Sequence, residues 1–316
     1  MSDKIRVYYY FIFGSIGGLT GWFLAALLLN SANTVPSIRD QAIYGALLGA
    51  MIGVAIAAYE GVSSQSLIRF VKFGSIGLLL GTLAGLLALP IAQWLYQQML
   101  GPGAGNSNHA APTGLFIAVG TLCWLLFGGL IGFGESLSKG TQSIKGLAGG
   151  VLGGLLGGII YELARASGVT QKASYQQQLI LAITLAVLGG AIGSSIAFVT
   201  TALKRAWIEV IDGKFSGKIY DVTKYVDRTL GSHKPGIIGS DEWSANVYLP
   251  ADYKILPRHA QIGFSNGSPT FSVFPEAQKI STTLVNERNV SGSCPLQDGD
   301  RLRIGSTLLI YRHKRK

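Results

Sequence analysis

Between Leu203 and Ala206 the chain passes from residues that suit lipid to residues that suit water. Before that point, six stretches are apolar enough to cross ~30 Å of hydrocarbon, which takes about 20 apolar residues each. They run over 7–29, 42–59, 70–95, 114–134, 144–163 and 179–203. After it, apolar and polar residues alternate in short, turn-punctuated runs. Charge divides at the same place. Residues 1–203 hold nine Lys/Arg and five Asp/Glu, and residues 204–316 hold seventeen and eleven. The expected architecture is a membrane α-helical bundle of six transmembrane helices over 1–205, followed by an all-β sandwich over 206–316. Only Lys204 and Arg205 separate the two, and a connector of that length spans ~10 Å at most. The β-domain must therefore sit against the membrane face, with Lys204 and Arg205 within reach of lipid headgroups.

Flanking charges give an orientation. Lys4, Arg6, Arg69, Lys72, Lys139, Lys145, Lys204 and Arg205 lie on one side, against Arg39, Arg165 and Lys172 on the other. The positive-inside rule puts the first set, and with it both termini, in the cytoplasm, as in a bacterial inner or plasma membrane. The same rule accounts for the net charge of +10, and no aromatic-interleaved basic groove points to nucleic acid. Cys123 and Cys294 define no disulfide framework.

The helices repeat. Gly14, Gly17 and Gly21 in the first recur in spacing as Gly74, Gly77 and Gly81 in the third and Gly146, Gly149 and Gly153 in the fifth. The even helices share Gly49/Gly53, Gly128/Gly132 and Gly189/Gly193. The chain reads as one helical hairpin written three times, predicting a bundle with pseudo-threefold symmetry. Glycines three or four apart let helix backbones approach closely in lipid, where the hydrophobic effect cannot draw them together. A transport path along the repeat axis is the alternative. Such paths are marked by ionisable residues in mid-membrane, whereas Glu60, Glu135 and Glu162 fall at helix ends and Pro90 is the only proline well inside a span. Tyr8, Tyr9, Tyr10, Trp22, Trp94 and Tyr96 read as interfacial anchors. Gly101–Pro112 reads as a flexible connector.

In the second part, 207–211, 218–222, 246–249, 260–264, 270–274, 301–304 and 307–311 read as strands, and Asn266-Gly267 is a hairpin turn. Many short strands at this spacing indicate a β-sandwich. Ile238-Gly239, Asn246-Val-Tyr-Leu-Pro250, Arg258-His-Ala-Gln-Ile262, Val285-Asn286, Leu296-Gln-Asp-Gly-Asp300 and Leu302-Arg-Ile-Gly305 occur in an order and spacing that resemble the forkhead-associated (FHA) domain over roughly 206–312. That resemblance implies a phosphothreonine-peptide reader acting in kinase signalling. It also implies a protein-binding face built from the loops bearing Ser240, Leu256, Arg258, His259 and Asn286.

The departures bear on function. The arginine that follows the family's glycine is Ser240 here, the family's phosphate-binding serine position is Leu256, and its later Asn-Gly has no counterpart in 280–285. A phosphate dianion needs charge-assisted donors, and leucine offers none. His259, Gly239 and Gly299-Asp300 fit loop-building roles. His233, Lys234 and Arg258, with Ser240 nearby, are the residues that could rebuild an anion site. No nucleophile, metal-ligand or phosphate-loop motif appears; Asp298 and Asp300 fit a turn, and no cofactor is implied. The expected function is a non-enzymatic membrane protein, able to oligomerise, that offers an FHA-like module to a cytoplasmic or membrane protein partner without requiring phosphothreonine. The alternatives are a channel or transporter regulated by that module, and a phosphothreonine sensor whose partner is phosphorylated.

Overall fold

The computed structural model describes residues 3–29, 37–100, 113–139, 142–167, 175–227, 234–250, 254–280, 283–290 and 292–314. The connector at 101–112, Lys172 and His233 lie outside the described residues. Among the described residues, six helices are long and apolar enough to cross a membrane: α1 (Asp3–Leu28), α2 (Ile38–Ser63), α3 (Leu67–Leu100), α4 (Thr113–Lys139), α5 (Ser143–Ala166) and α6 (Tyr175–Ala202). α2 opens on a capping box, with the Asp40 amide donating to Ser37 Oγ and the Ser37 amide to Asp40 Oδ2, each 3.1 Å. α3 runs on through Pro90.

Each helix packs on its two neighbours in chain order, and α6 closes the ring on α1. α4 also touches α2 and α6, so the even helices form the inner layer. Their large apolar side chains fill it: Leu48, Ile52 and Ile56 from α2, Phe127 and Ile131 from α4, and Leu185, Leu188, Ile192 and Ile196 from α6.

Glycines set the helix spacing. A Cβ at Gly14, Gly49, Gly53, Gly132 or Gly150 would run into the backbone carbonyl of Gly189, Gly81, Gly77, Gly146 or Gly128 respectively. Gly17 and Gly21 lie on the α2 backbone at Ile52 and Leu48, Gly149 and Gly153 on the α6 backbone at Ile196 and Ile192, and Gly193 on the carbonyl of Tyr10. Such approach permits Cα–H···O contacts, each worth about 0.5–1 kcal/mol.

One predicted packing residue is an exception, since Gly74 has open space around it. α2 carries a further stripe glycine, Gly45. α3 lies with Gly77, Gly81 and Gly85 against Gly53, Gly49 and Gly45, facing back towards α2. The sequence-equivalent Gly17 and Gly149 face forward. Three hairpins alike in sequence are thus not alike in packing, and the pseudo-threefold arrangement is broken at α3.

Two of the expected interfacial anchors are interior residues. Tyr10 is fully buried and donates to Glu135 Oε1 at 2.6 Å. Tyr96 is buried and stacks on Phe116, with the Arg165 guanidinium 5.0 Å from its ring centre. Tyr8, Tyr9 and Trp94 are exposed as expected.

Three residues after α6 the sandwich begins. One sheet runs β2 (Ile219–Asp221), β1 (Ala206–Asp212), β11 (Thr307–His313), β10 (Arg301–Ile304), β7 (Thr283–Val285) and β8 (Arg288–Asn289). The other runs β4 (Val247–Tyr248), β3 (Gly236–Gly239), β5 (Ala260–Ser265), β6 (Ser268–Val273) and β9 (Ser293–Pro295). Two short helices, α7 (Thr223–Val226) and α8 (Pro275–Ile280), join them. The period-two pattern buries Ala206, Ile208 and Val210 of β1 against Ile238, Ile262, Phe271, Leu302, Ile304, Leu309 and Tyr311. At the β5–β6 turn Asn266 and Gly267 take φ 49° and 80°, the two positive values of the tight hairpin turn.

The junction is braced. The Arg205 and Ala206 amides both donate to Thr223 Oγ1 at 3.1 Å, and the Lys314 amide donates to Arg205 O at 2.8 Å. Lys204 is buried with Nζ 4.8 Å from the Trp207 ring, and Arg205 pairs with Asp227 at 2.9 Å. Both charges also have contacts within the protein.

Candidate functional site

Of the five residues expected on a protein-binding face, three turn inward. The Ser240 hydroxyl donates to Ile255 O at 2.9 Å, and its amide donates to Leu256 O at 3.0 Å, tying the β3–β4 loop to the β4–β5 loop. Leu256 packs on the sandwich core. His259 is fully buried; its Nδ1 accepts from the Leu256 amide at 3.3 Å, so Nε2 carries the proton and donates to Thr283 Oγ1 at 2.9 Å. Asn286 is exposed but braced, donating through Nδ2 to Asp300 Oδ1 at 2.8 Å and accepting the Arg301 amide at 2.9 Å. Asp300 and Asp298 also accept the Gln297 and His313 amides at 2.7 and 2.8 Å, which is turn chemistry. Arg258 and Lys234 are exposed, and the Arg258 guanidinium lies over Phe274 at 5.2 Å. This face therefore has few free cationic donors and a well-tied frame.

A second cluster, at the seam between bundle and sandwich, was not singled out from the sequence. The β3–β4 loop lies on the start of α3: Ser66 Oγ donates to Glu242, Arg69 Nη1 donates to Ala245 O at 3.3 Å, and Lys72 Nζ donates to Trp243 O at 2.6 Å. The loop is held in shape by Asp241, which accepts from the Ser244 hydroxyl and, at 2.9 Å, its amide. These bonds, the hydroxyl foremost, keep the Asp241 carboxyl below the usual range. From β2, Lys218 Nζ reaches Glu60 Oε1 at 3.1 Å and Ser64 Oγ at 2.6 Å. Burial pushes the Lys218 ammonium below its ordinary range while Glu60 pulls against it. Asp221 pairs with Lys145 of α5 at 3.2 Å. Behind Glu60 the contacts continue into the bundle through Lys139, 3.9 Å from Glu60 and 2.8 Å from Glu135, to Tyr10.

One signal could have found this seam. A carboxylate within an apolar helix is costly unless paired, so Glu60 and Glu135 each called for a cation. Lys139 stands one helical turn from Glu135, but Lys218 is 158 positions from Glu60. Between the two parts lies a cavity of about 270 Å³ whose lining includes Arg6, Glu60, Arg69, Lys139, Lys214 and Lys218.

Six membrane-length helices carrying a two-sheet sandwich of this topology define a helix-anchored β-domain protein. The sandwich is of the FHA kind: residues 236–305 match the FHA domain family. No family matches the helical part, and no curated protein matches the chain. Among solved structures, the chain is similar to the FHA domain of the CT664 protein from Chlamydia trachomatis, with 20% identity, 35% of this chain and 99% of that one covered, and a TM-score of 0.29. It is also similar to the FHA domain of a hypothetical protein from Arabidopsis thaliana, at 16% identity, covering 36% and 88%, TM-score 0.30. A third is EmbR of Mycobacterium tuberculosis, in complex with a low-affinity phosphopeptide, at 11% identity, covering 85% and 72%, TM-score 0.28.

Proposed function

We propose that this protein holds an FHA module at the cytoplasmic face of a membrane as a docking surface for a protein partner, and that docking does not depend on phosphothreonine. The observation that carries this reading is Leu256. Where the family's serine would meet phosphate, an apolar side chain packs on the core, and burying a dianion beside it without donors is unfavourable. Ser240, next to it, spends its hydroxyl on Ile255. The β3–β4 loop is occupied by α3, which leaves the loops around Arg258, Phe274 and Asn286 as the surface for a partner. The charge asymmetry of the helix ends supports the cytoplasmic orientation.

The filled inner layer of the bundle favours anchoring over conduction, and the reading assigns the chain no catalysis. The test is titration of the full chain in nanodiscs with a degenerate phosphothreonine peptide library and its unphosphorylated twin. The two libraries should behave alike. Micromolar binding that disappears on dephosphorylation would overturn the phosphate-independent reading and restore a phosphothreonine sensor.

A further inference from the structure

The seam cavity has a surplus of positive charge that the docking reading does not use. Its two lining carboxylates are already engaged, Glu60 with Lys218 and Lys139, and Asp221 with Lys145. Three further cations line it, Arg6, Arg69 and Lys214, and none of them forms an ion pair among the described residues.

Arg69 is the most telling of these. The residue is 4% exposed, its Nη1 spends one bond on Ala245 O, and its guanidinium carbon is 5.0 and 5.4 Å from the ring centres of Tyr248 and Phe73. Its Nε–H is buried with no acceptor. A buried guanidinium without an ion pair is costly, and an anion in the cavity that Arg69 helps to line would supply the missing charge. The volume lies below the ~300 Å³ at which pockets for drug-sized ligands begin, so it suits a small anion or a headgroup.

Placement narrows the choice. Arg6 is in the first turn of α1, Glu60 and Ser63 end α2, Arg69 begins α3 and Lys139 ends α4. The cavity therefore sits at one end of the spans, at the depth where lipid phosphates would meet the sandwich. We propose that it binds a phosphate-bearing anion, with Arg69 as the central donor and Arg6 and Lys214 completing the charge. Its occupant would bridge the two parts of the molecule, whatever the loop face binds.

The test is thermal unfolding of the full chain in detergent, with added inorganic phosphate in one arm and phosphatidylglycerol in mixed micelles in the other. Chloride at matched ionic strength and phosphatidylcholine are the controls. A raised midpoint with phosphate identifies a free-anion site; a rise with phosphatidylglycerol alone identifies a headgroup site. Arg69→Gln should weaken the effect about tenfold or more, the loss expected of a charge-assisted hydrogen bond. Lys214 is exposed, so Lys214→Ala should fold normally yet weaken it too. No rise in either arm, or a rise that survives both substitutions, overturns the proposal.

Discussion

Lys218 on β2 reaches across the seam to Glu60 at the end of α2, Nζ to Oε1 3.1 Å, with Ser64 Oγ 2.6 Å away. One charge belongs to the sandwich and the other to an apolar helix, so undocking would take Glu60 from Lys218 and leave Glu60 with Lys139 alone, 3.9 Å away. Lys218→Met should destabilise the docked state by about 1.5–3 kcal/mol, the range for hydrogen bonds to charged groups. Combining it with Glu60→Gln should recover part of that loss, since neither variant then leaves a lone buried charge. Hydrogen exchange across β2 and the β3–β4 loop measures both effects.

Two glycines of the repeated pattern should respond oppositely to one added methyl. Gly81→Ala places a Cβ against the Gly49 carbonyl and forces α2 and α3 apart, whereas Gly74→Ala meets nothing within 4 Å. Gly74→Ala should be neutral or stabilising by up to about 1 kcal/mol, the helix-propensity difference. Gly81→Ala should lower the thermal midpoint clearly. Fluorescence-detected size exclusion after heating separates them.

Acid should release the β3–β4 loop late. The Asp241 carboxyl is held below its usual range by the Ser244 hydroxyl and neighbouring amides, while in an unfolded chain it titrates near ~3.9. Its contribution is fully present above that value and is lost as pH falls through the depressed native value, where the unfolded chain binds more protons. The emission difference between wild type and Trp243→Phe should stay constant down to about pH 4 and change only below it. Asp241→Asn should loosen the loop already at neutral pH.

His259 and Arg258 are neighbours in sequence with opposite expected roles. His259→Ala leaves the Leu256 amide and Thr283 hydroxyl without their buried partner, at a cost of about 1–3 kcal/mol. Arg258→Ala, at the surface, should change stability by less than about 0.5 kcal/mol while weakening partner capture. Chemical unfolding and pull-down from the native membrane read the two.

Six spans, the abrupt junction and the Asn266–Gly267 hairpin were legible because each depends on local periodicity or turn chemistry. β7, β8 and β9, of two or three residues each, are too short to show a period. The inward turn of Ser240, Leu256 and His259 is not legible in the sequence, because it depends on contacts between loops. Tyr10 and Tyr96 sit near span ends, where an anchor and a buried hydrogen-bonding ring look alike in sequence. The open space at Gly74 is not legible because a one-dimensional repeat does not reveal which neighbouring helix a glycine stripe faces. The seam was hidden most deeply: Glu60 and Arg69 find partners more than 150 positions away.

The contacts of Lys218, Lys72 and Lys145 across the seam mount the FHA module on the bundle as one body. Spin labels at Leu78 on α3 and Asn266 at the β5–β6 tip, both exposed, would report it by double electron–electron resonance in nanodiscs, with Cys123 and Cys294 replaced. A rigid mount gives a single narrow distance distribution that broadens in Lys218→Met. A broad distribution in the parent protein, as a tethered domain would give, would contradict it.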